Sequence, residues 1–280
     1  MHTVSTFKDN ELFNDNELTL IFEGNSNFLS YTVFDEKQNL YKGIKNLLFD
    51  NPQDLENSFE QILNEDYILK TKFKKEYFIY NSYRAMLVPD TLFDSEHLNE
   101  FLKFHHNVNE KDLILYHKLE QAEAYVIFTI PIRYEYILHK KYPDVNIFHH
   151  SIPFISNSLK ESQDEQYPIL CINVSSDFFD VLIAKKGQIL LFNSFFYRKH
   201  SDIVYFIVNI INLYSLTTEH TKLILTGNID LNSVLVVELK KIFPLINFTG
   251  FNNSFNFTEE TKSLEQHKYS NLINFLHCVS

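Results

Sequence analysis

The sequence has 280 residues, with 25 Lys and Arg against 36 Asp and Glu, and a formal charge of −11. Its basic residues are scattered singly or in short groups such as Lys72, Lys74 and Lys75, so the electrostatic footprint of a phosphate-backbone binder is lacking and nucleic acid is not an expected partner. Apolar residues at 45%, including 27 Phe and 16 Tyr, supply a large ring-filled core and argue against long disorder; the length suits one large domain or two packed lobes.

In chain order, residues Met1 to Asn16 are polar and mixed in charge, with no apolar run of the secretory kind, which makes a cytoplasmic location the expectation. Leu18–Glu23, Phe28–Phe34 and Leu40–Phe49, each bounded by Asn, Asp or Gly, read as a three-strand meander. Asn51 as N-cap and Pro52 in the first turn then open a helix with Leu55, Phe59, Ile62 and Leu63 at helical spacing. Tyr77–Tyr80 and Ala85–Val88 follow as strands. Asp94-Ser95-Glu96 starts a helix that turns Leu98, Phe101, Leu102 and Phe104 inward, and Leu113–Lys118 with Ala124–Ile130 are expected to complete the sheet. A helix over 132–141, a strand Val145–His149 and a helix Phe154–Leu159 end the first half. The segment Lys160–Gln166 is polar, acidic and without an apolar residue, and sets the expected boundary between a lobe of residues 1–163 and one of 164–280.

The second half begins with another meander, Ile169–Val174, Phe178–Ala184 and Ile189–Phe196, with Lys186-Gly187 as a hairpin turn. The helix from Asp202 to Tyr214 is apolar on most faces, which predicts burial between layers. The longest apolar stretch, Val204–Leu216, is interrupted by Asn209 and Asn212 and is too short for a membrane span, which takes about 20 residues. A strand Lys222–Leu225, a helix Leu231–Phe243, a strand Ile246–Phe248 and a last helix Tyr269–Leu276 complete the reading. A meander followed by helices and strands thus occurs twice, and duplication of one α/β layout is inferred.

That layout resembles the actin-like ATPase superfamily, with its ribonuclease H-like lobes, and within it the pilus-assembly and cell-division members. Ile169–Asp177, Phe178–Ala184 and Lys186-Gly187-Gln-Ile-Leu are similar to the family's strand, phosphate loop, strand, turn, strand unit, and Leu223-Ile-Leu-Thr226-Gly227-Asn228 to its adenosine segment. As a whole the chain looks like a bacterial family of unknown function assigned this fold.

The resemblance implies a nucleotide between two hairpin loops, whose glycines let backbone N–H groups approach the phosphates and whose aspartates organise Mg²⁺. The family's Asp-x-Gly of the second loop falls here on Asn173-Val174-Ser175, so an amide replaces the carboxylate and a side chain occupies the glycine position. The first loop offers Glu23 and Gly24 out of the family's spacing, and the adenosine segment keeps Gly227 but has Asn228 where a second glycine is usual. With only 5 Gly in the chain, these positions read as a vestigial nucleotide site in which Ser175, Ser176 and Thr226 could still donate to a phosphate or ribose.

His105-His106 and His149-His150 are read as surface or satisfied core histidines, because adjacent side chains diverge and no Cys or His-Glu-x-x-His pattern accompanies them; no metal is expected. Cys171, inside an apolar run, is read as a buried reduced thiol. The rings Phe192, Phe195, Phe196 and Tyr197 must point to both faces of their strand. The leading expectation is a non-enzymatic scaffold or adaptor that binds another protein or itself and uses no cofactor. The alternative is an ATP-binding actin-like ATPase with weak hydrolysis.

Overall fold

Side chains alternate across a strand, so each half of the chain uses its apolar strands to build a sheet covered on both faces. A computed structural model describes residues 2–7, 17–49, 55–251 and 253–279. The expected helix start at Asn51 and Pro52 lies outside the described residues.

The first sheet contains β1 (His2–Ser5), β2 (Leu18–Gly24), β3 (Phe28–Asp35), β4 (Leu40–Leu48), β5 (Lys75–Tyr80) and β9 (Asn146–His149), in the order β1-β4-β3-β2-β5-β9. β2, β3 and β4 form an antiparallel meander, while β5 and β9 run parallel to β2. The second sheet contains β10 (Ile169–Val174), β11 (Phe178–Lys185), β12 (Gln188–Phe196), β13 (Lys222–Gly227) and β14 (Ile246–Phe248), in the order β12-β11-β10-β13-β14. Here too the first three strands are an antiparallel meander and the last two are parallel to β10. The five-strand unit β4-β3-β2-β5-β9 therefore repeats in order and direction as β12-β11-β10-β13-β14. Lys186 and Gly187 both take positive φ (51° and 75°) in the tight turn joining β11 to β12.

Between these sheets runs α4 (Ser151–Ser162), which packs on β10, β11 and β12. One continuous core joins Phe22 and Phe78 of the first sheet to Ile152 and Ile155 of α4 and to Cys171 and Leu182 of the second. Cys171 is buried and free, as its surroundings in the sequence suggest. Strand β15 (Asn256–Phe257) brings the chain back to pair with β4, followed by the short helices α7 (Glu259–Lys262), α8 (Ser270–Ile273) and α9 (Leu276–Val279). α8 covers the first sheet on its other face, where Leu272 and Ile273 pack with Ile21 and Tyr41.

Several expectations are corrected. β7 (Asp112–Leu119) and β8 (Ala124–Pro131) do not complete the first sheet. They pair with β6 (Ala85–Pro89), which follows β5 after the short connection 81–84, in a separate three-stranded antiparallel sheet. Helix α2 (Leu98–Lys103) stops one residue before Phe104, which is 77% exposed rather than turned inward. Helix α5 (His200–Leu213) is not enclosed between layers. It lies with α6 (Val234–Ile242) on the outer face of the second sheet and buries one stripe, Ile203, Ile207 and Ile210, leaving Tyr205 and Leu213 exposed. The single terminal helix is broken into a 3-10 turn (Gln266–Tyr269), α8 and α9. Helices α1 (Leu55–Glu65) and α3 (Ile132–Lys141) pack on each other beside the first sheet. The rings of β12 divide as strand alternation requires, with Phe192 toward the central core and Phe195 and Tyr197 toward the outer one.

Candidate functional site

The residues singled out in the sequence lie where β2 and β10 end facing one another. Side-chain parity puts Leu20 and Phe22 into the central core, so Glu23 turns to the face covered by α8. On β10 and β11, Cys171 and Leu182 face the central core, and parity sends Asn173 and Asp180 to that same face, where they stand directly opposite each other.

These groups form a buried polar network. Asn81, just past β5, donates from Nδ2 to Glu23 Oε1 over 2.9 Å. Its oxygen accepts from Asn25 Nδ2 at 3.4 Å and from the Ser175 hydroxyl at 3.3 Å. His150 Nε2 donates to Asp180 Oδ2 at 2.7 Å. The same oxygen accepts from Asn173 Nδ2 at 2.9 Å, and Asp180 Oδ1 accepts from the Ser194 hydroxyl at 2.6 Å. Burial drives the Glu23 carboxyl above its usual range, opposed by the Asn81 hydrogen bond, the nearby His150 and the Asn271 carboxamide. Burial also works to lower His150, but the Asp180 carboxylate overrides it and the imidazole is held above its ordinary value. His149, equally buried, is pushed well down by burial and by its charged neighbour. It stays neutral, with Nε2–H donated to Ser82 O at 2.8 Å and Nδ1 facing the Ser151 hydroxyl at 2.8 Å. The pair is thus a set of satisfied core histidines.

The two hairpin loops meet directly. Asn27 Nδ2 donates to the Ser176 hydroxyl at 3.0 Å, tying the tip of the first to the tip of the second. The N–H groups of Asn25 and Ser175 donate to Phe28 O and Phe178 O within their own hairpins, at 3.1 and 2.9 Å, and the Asn228 N–H donates to Val174 O at 2.6 Å. Asn27 N–H is taken by Asn25 Oδ1 at 2.7 Å. These four donors are taken by protein acceptors, so as arranged they are not offered to a phosphate between the loops. Thr226 Oγ1 donates to His267 O at 2.9 Å and also touches the Ser270 hydroxyl, away from both loops. Gly227 is required where it stands: at φ +85° a Cβ would lie 2.3 Å from Val174 O.

Of the eight sequence-predicted positions, Glu23 and Ser175 are joined through Asn81, and Asn173, Thr226 and Gly227 are neighbours across the β10–β13 register. Sequence reasoning missed Asn81, Asp180 and Asn271. The signal for Asp180 was a lone acid in the middle of the apolar strand Phe178–Lys185, while Asn81 looked like an ordinary turn residue. A cavity of about 560 Å³ opens beside this network, between α4, β13, α8 and the 249–253 loop. Of the eight positions, Thr226 alone lines it.

Comparison with known proteins places this geometry in context. A family model described as Protein of unknown function (DUF3822) matches residues 8–246. Among curated proteins none matches the chain. A crystal structure from Bacteroides thetaiotaomicron, of a protein with actin-like ATPase fold and unknown function, superposes with a TM-score of 0.77 at 21% identity, covering 86% of this chain and 93% of that one. The PilM-PilN type IV pilus biogenesis complex contains a chain that superposes with a TM-score of 0.60 at 9% identity, covering 94% of this chain and 98% of its own. The fold is that of the actin-like ATPases. Among the described residues, no helix is long and apolar enough to cross a membrane.

Proposed function

We propose, from the premise that this chain belongs to the DUF3822 family and has an actin-like ATPase fold, that it is a non-enzymatic scaffold or adaptor with a degenerate nucleotide site. The observation that carries the reading is the direct contact of the two hairpins. Asn27 to Ser176, and Ser175 through Asn81 to Glu23, set protein side chains between the two loops, and the N–H groups of Asn25, Asn27, Ser175 and Asn228 already have protein acceptors. Removing a nucleotide from such a body leaves the fold intact, because fold and chemistry are separable.

The partner in this reading is another protein or a second copy of the chain, in the cytoplasm. Two features support it. The outer face of the second lobe exposes Tyr205 and Val208 on α5 beside Val234 and Val237 on α6. A structural neighbour, PilM, was solved in a complex with PilN. The test is to titrate the purified full chain with Mg²⁺-ATP, reading binding by calorimetry and turnover by phosphate release. Neither is expected; micromolar binding with phosphate release would replace this reading with that of an actin-like ATPase.

A further inference from the structure

The internal repeat exposes a difference between the two lobes. Asn25 N–H donates to Phe28 O, and Ser175 N–H to Phe178 O, at the same point of each hairpin. Phe28 pairs with Leu48 and Phe178 with Phe196, so Phe192, Ser194 and Phe196 of β12 stand where Ile44, Asn46 and Leu48 of β4 stand. A side-chain bond repeats with them: the Ser30 hydroxyl donates to Asn46 Oδ1 at 2.8 Å, and the Ser194 hydroxyl to Asp180 Oδ1 at 2.6 Å.

Backbone bonding sets which groups of these strands face outward. Phe49 N–H donates to Asn27 O at 2.9 Å and Tyr197 N–H to Asp177 O at 3.1 Å. The alternate residues, Ile44, Asn46 and Leu48 in β4 and Phe192, Ser194 and Phe196 in β12, therefore turn their N–H and C=O groups away from the meander. In the first lobe the chain covers these groups itself. β1 runs antiparallel along β4, with His2 against Leu48 and Val4 against Asn46, Thr6 N–H donates to Ile44 O at 2.9 Å, and β15 covers Leu40 and Tyr41. In the second lobe no described strand pairs with the outer edge of β12. The Ser194 N–H is taken by its own neighbour, Asn193 Oδ1, at 2.9 Å. Open edges are ordinarily guarded by charge, yet residues 187–197 carry none in a chain that is 22% charged. Leu190 and Phe196 on this strand are 46% and 54% exposed.

The geometry points to strand addition at β12, whose outer edge takes the β12 of a second copy, antiparallel about a two-fold axis, and joins two five-stranded sheets into one. An antiparallel neighbour is what the matching edge of the first lobe already has, in β1. Two identical edges related by a two-fold cover each other and leave neither open, which a foreign strand does not achieve. At a charge of −11, two copies repel through most of their surface, and an uncharged edge is where they meet with least repulsion. This pairing names the partner of the scaffold reading and rests on it; ATP turnover would end that reading whatever the mass of the particle, and a monomer would end the pairing whatever the ATP titration gives.

Sedimentation equilibrium on the full chain from nanomolar to high micromolar concentration, with amide exchange over 188–196, tests it. A concentration-dependent dimer is expected, with the outward amides of Phe192, Ser194 and Phe196 protected in it. Phe196→Pro removes one outward N–H while leaving the bonds to β11 in place, and should raise the dissociation constant about tenfold or more. Should that variant fail to fold, Leu190→Lys with Asn193→Lys decides, since both side chains are exposed and their charges would be set against their own copies across the axis; the same loss is expected. Tyr205→Lys with Val237→Lys on the α5–α6 face should leave the dimer intact. A chain that stays monomeric, a dimer that persists in the edge variants, or a dimer lost with the α5–α6 substitutions would each overturn the assignment.

Discussion

His150 Nε2 meets Asp180 Oδ2 over 2.7 Å with both side chains fully buried, which ties the residue preceding the interlobe helix to the second strand of the second sheet. Removing the carboxylate leaves His150, Asn173 and Ser194 without their shared acceptor. Asp180→Ala is expected to cost roughly 3 kcal/mol or more, the scale of a broken buried pair, measured by urea unfolding of the full chain. A loss within experimental error would mean that the lobes are held by apolar packing alone.

The same contact sets a pH dependence. His150 binds its proton more tightly folded than unfolded, so its stabilisation is fully present below the ordinary imidazole value of 6.5 and is lost as pH rises through the raised folded value. Glu23, also raised, acts in the same direction from its ordinary 4.5 upward, since the buried carboxylate costs stability once ionised. Unfolding free energy followed from below pH 6.5 to alkaline pH should decline, and His150→Gln should flatten the upper part of that decline. An unchanged slope in the variant would refute the assignment to His150.

Asn173, which the sequence resemblance matches to the second-loop aspartate of actin-like ATPases, donates from Nδ2 to Asp180 Oδ2 at 2.9 Å. Restoring the acid by Asn173→Asp would set two carboxylates against each other in a buried place. It is expected to destabilise by roughly 2–4 kcal/mol near neutrality, with recovery in acid as one of the pair protonates, and to yield no phosphate release from ATP. Thermal melts at two pH values and a phosphate assay check both parts.

Two glycines with positive φ separate conformational strain from collision. At Gly187 (φ +75°) an added Cβ has its nearest neighbour, Gln163 Cγ, at 3.6 Å, so Gly187→Ala should cost only about 1 kcal/mol of backbone strain. At Gly227 (φ +85°) the Cβ would collide with Val174 O and Asn173 Oδ1, at 2.3 and 2.7 Å. Gly227→Ala should therefore be clearly worse than Gly187→Ala in parallel denaturant titrations, and equal losses would contradict the packing described at the β10–β13 junction.

Much of the architecture was legible from local patterns. The two meanders, the hairpin at Lys186-Gly187 and the helix over 132–141 follow from alternation, turn chemistry and helical spacing, each contained within a few residues. The misplacement of β7 and β8 has the opposite cause. Their apolar alternation identifies strands but says nothing about which edge they join, and with β6 they form a sheet of their own. Helix α5 was misjudged because composition cannot reveal how many of a helix's faces are covered. Its buried stripe of Ile203, Ile207 and Ile210 is ordinary, and the apolar remainder faces outward.

For the site, the sequence by itself determined the residue types, an amide at Asn173 and a hydroxyl at Ser175 where the resemblance expects a carboxylate and a glycine. Only the tertiary structure decided what these residues do instead. Ser175 reaches Asn81 across 94 positions of sequence, His150 reaches Asp180 across 30, and Asn27 reaches Ser176 across 149. Such pairings arise because two sheets of matching topology bring their strand ends face to face, and local periodicity, which fixes only the direction a side chain leaves its own strand, carries no record of the group it will meet.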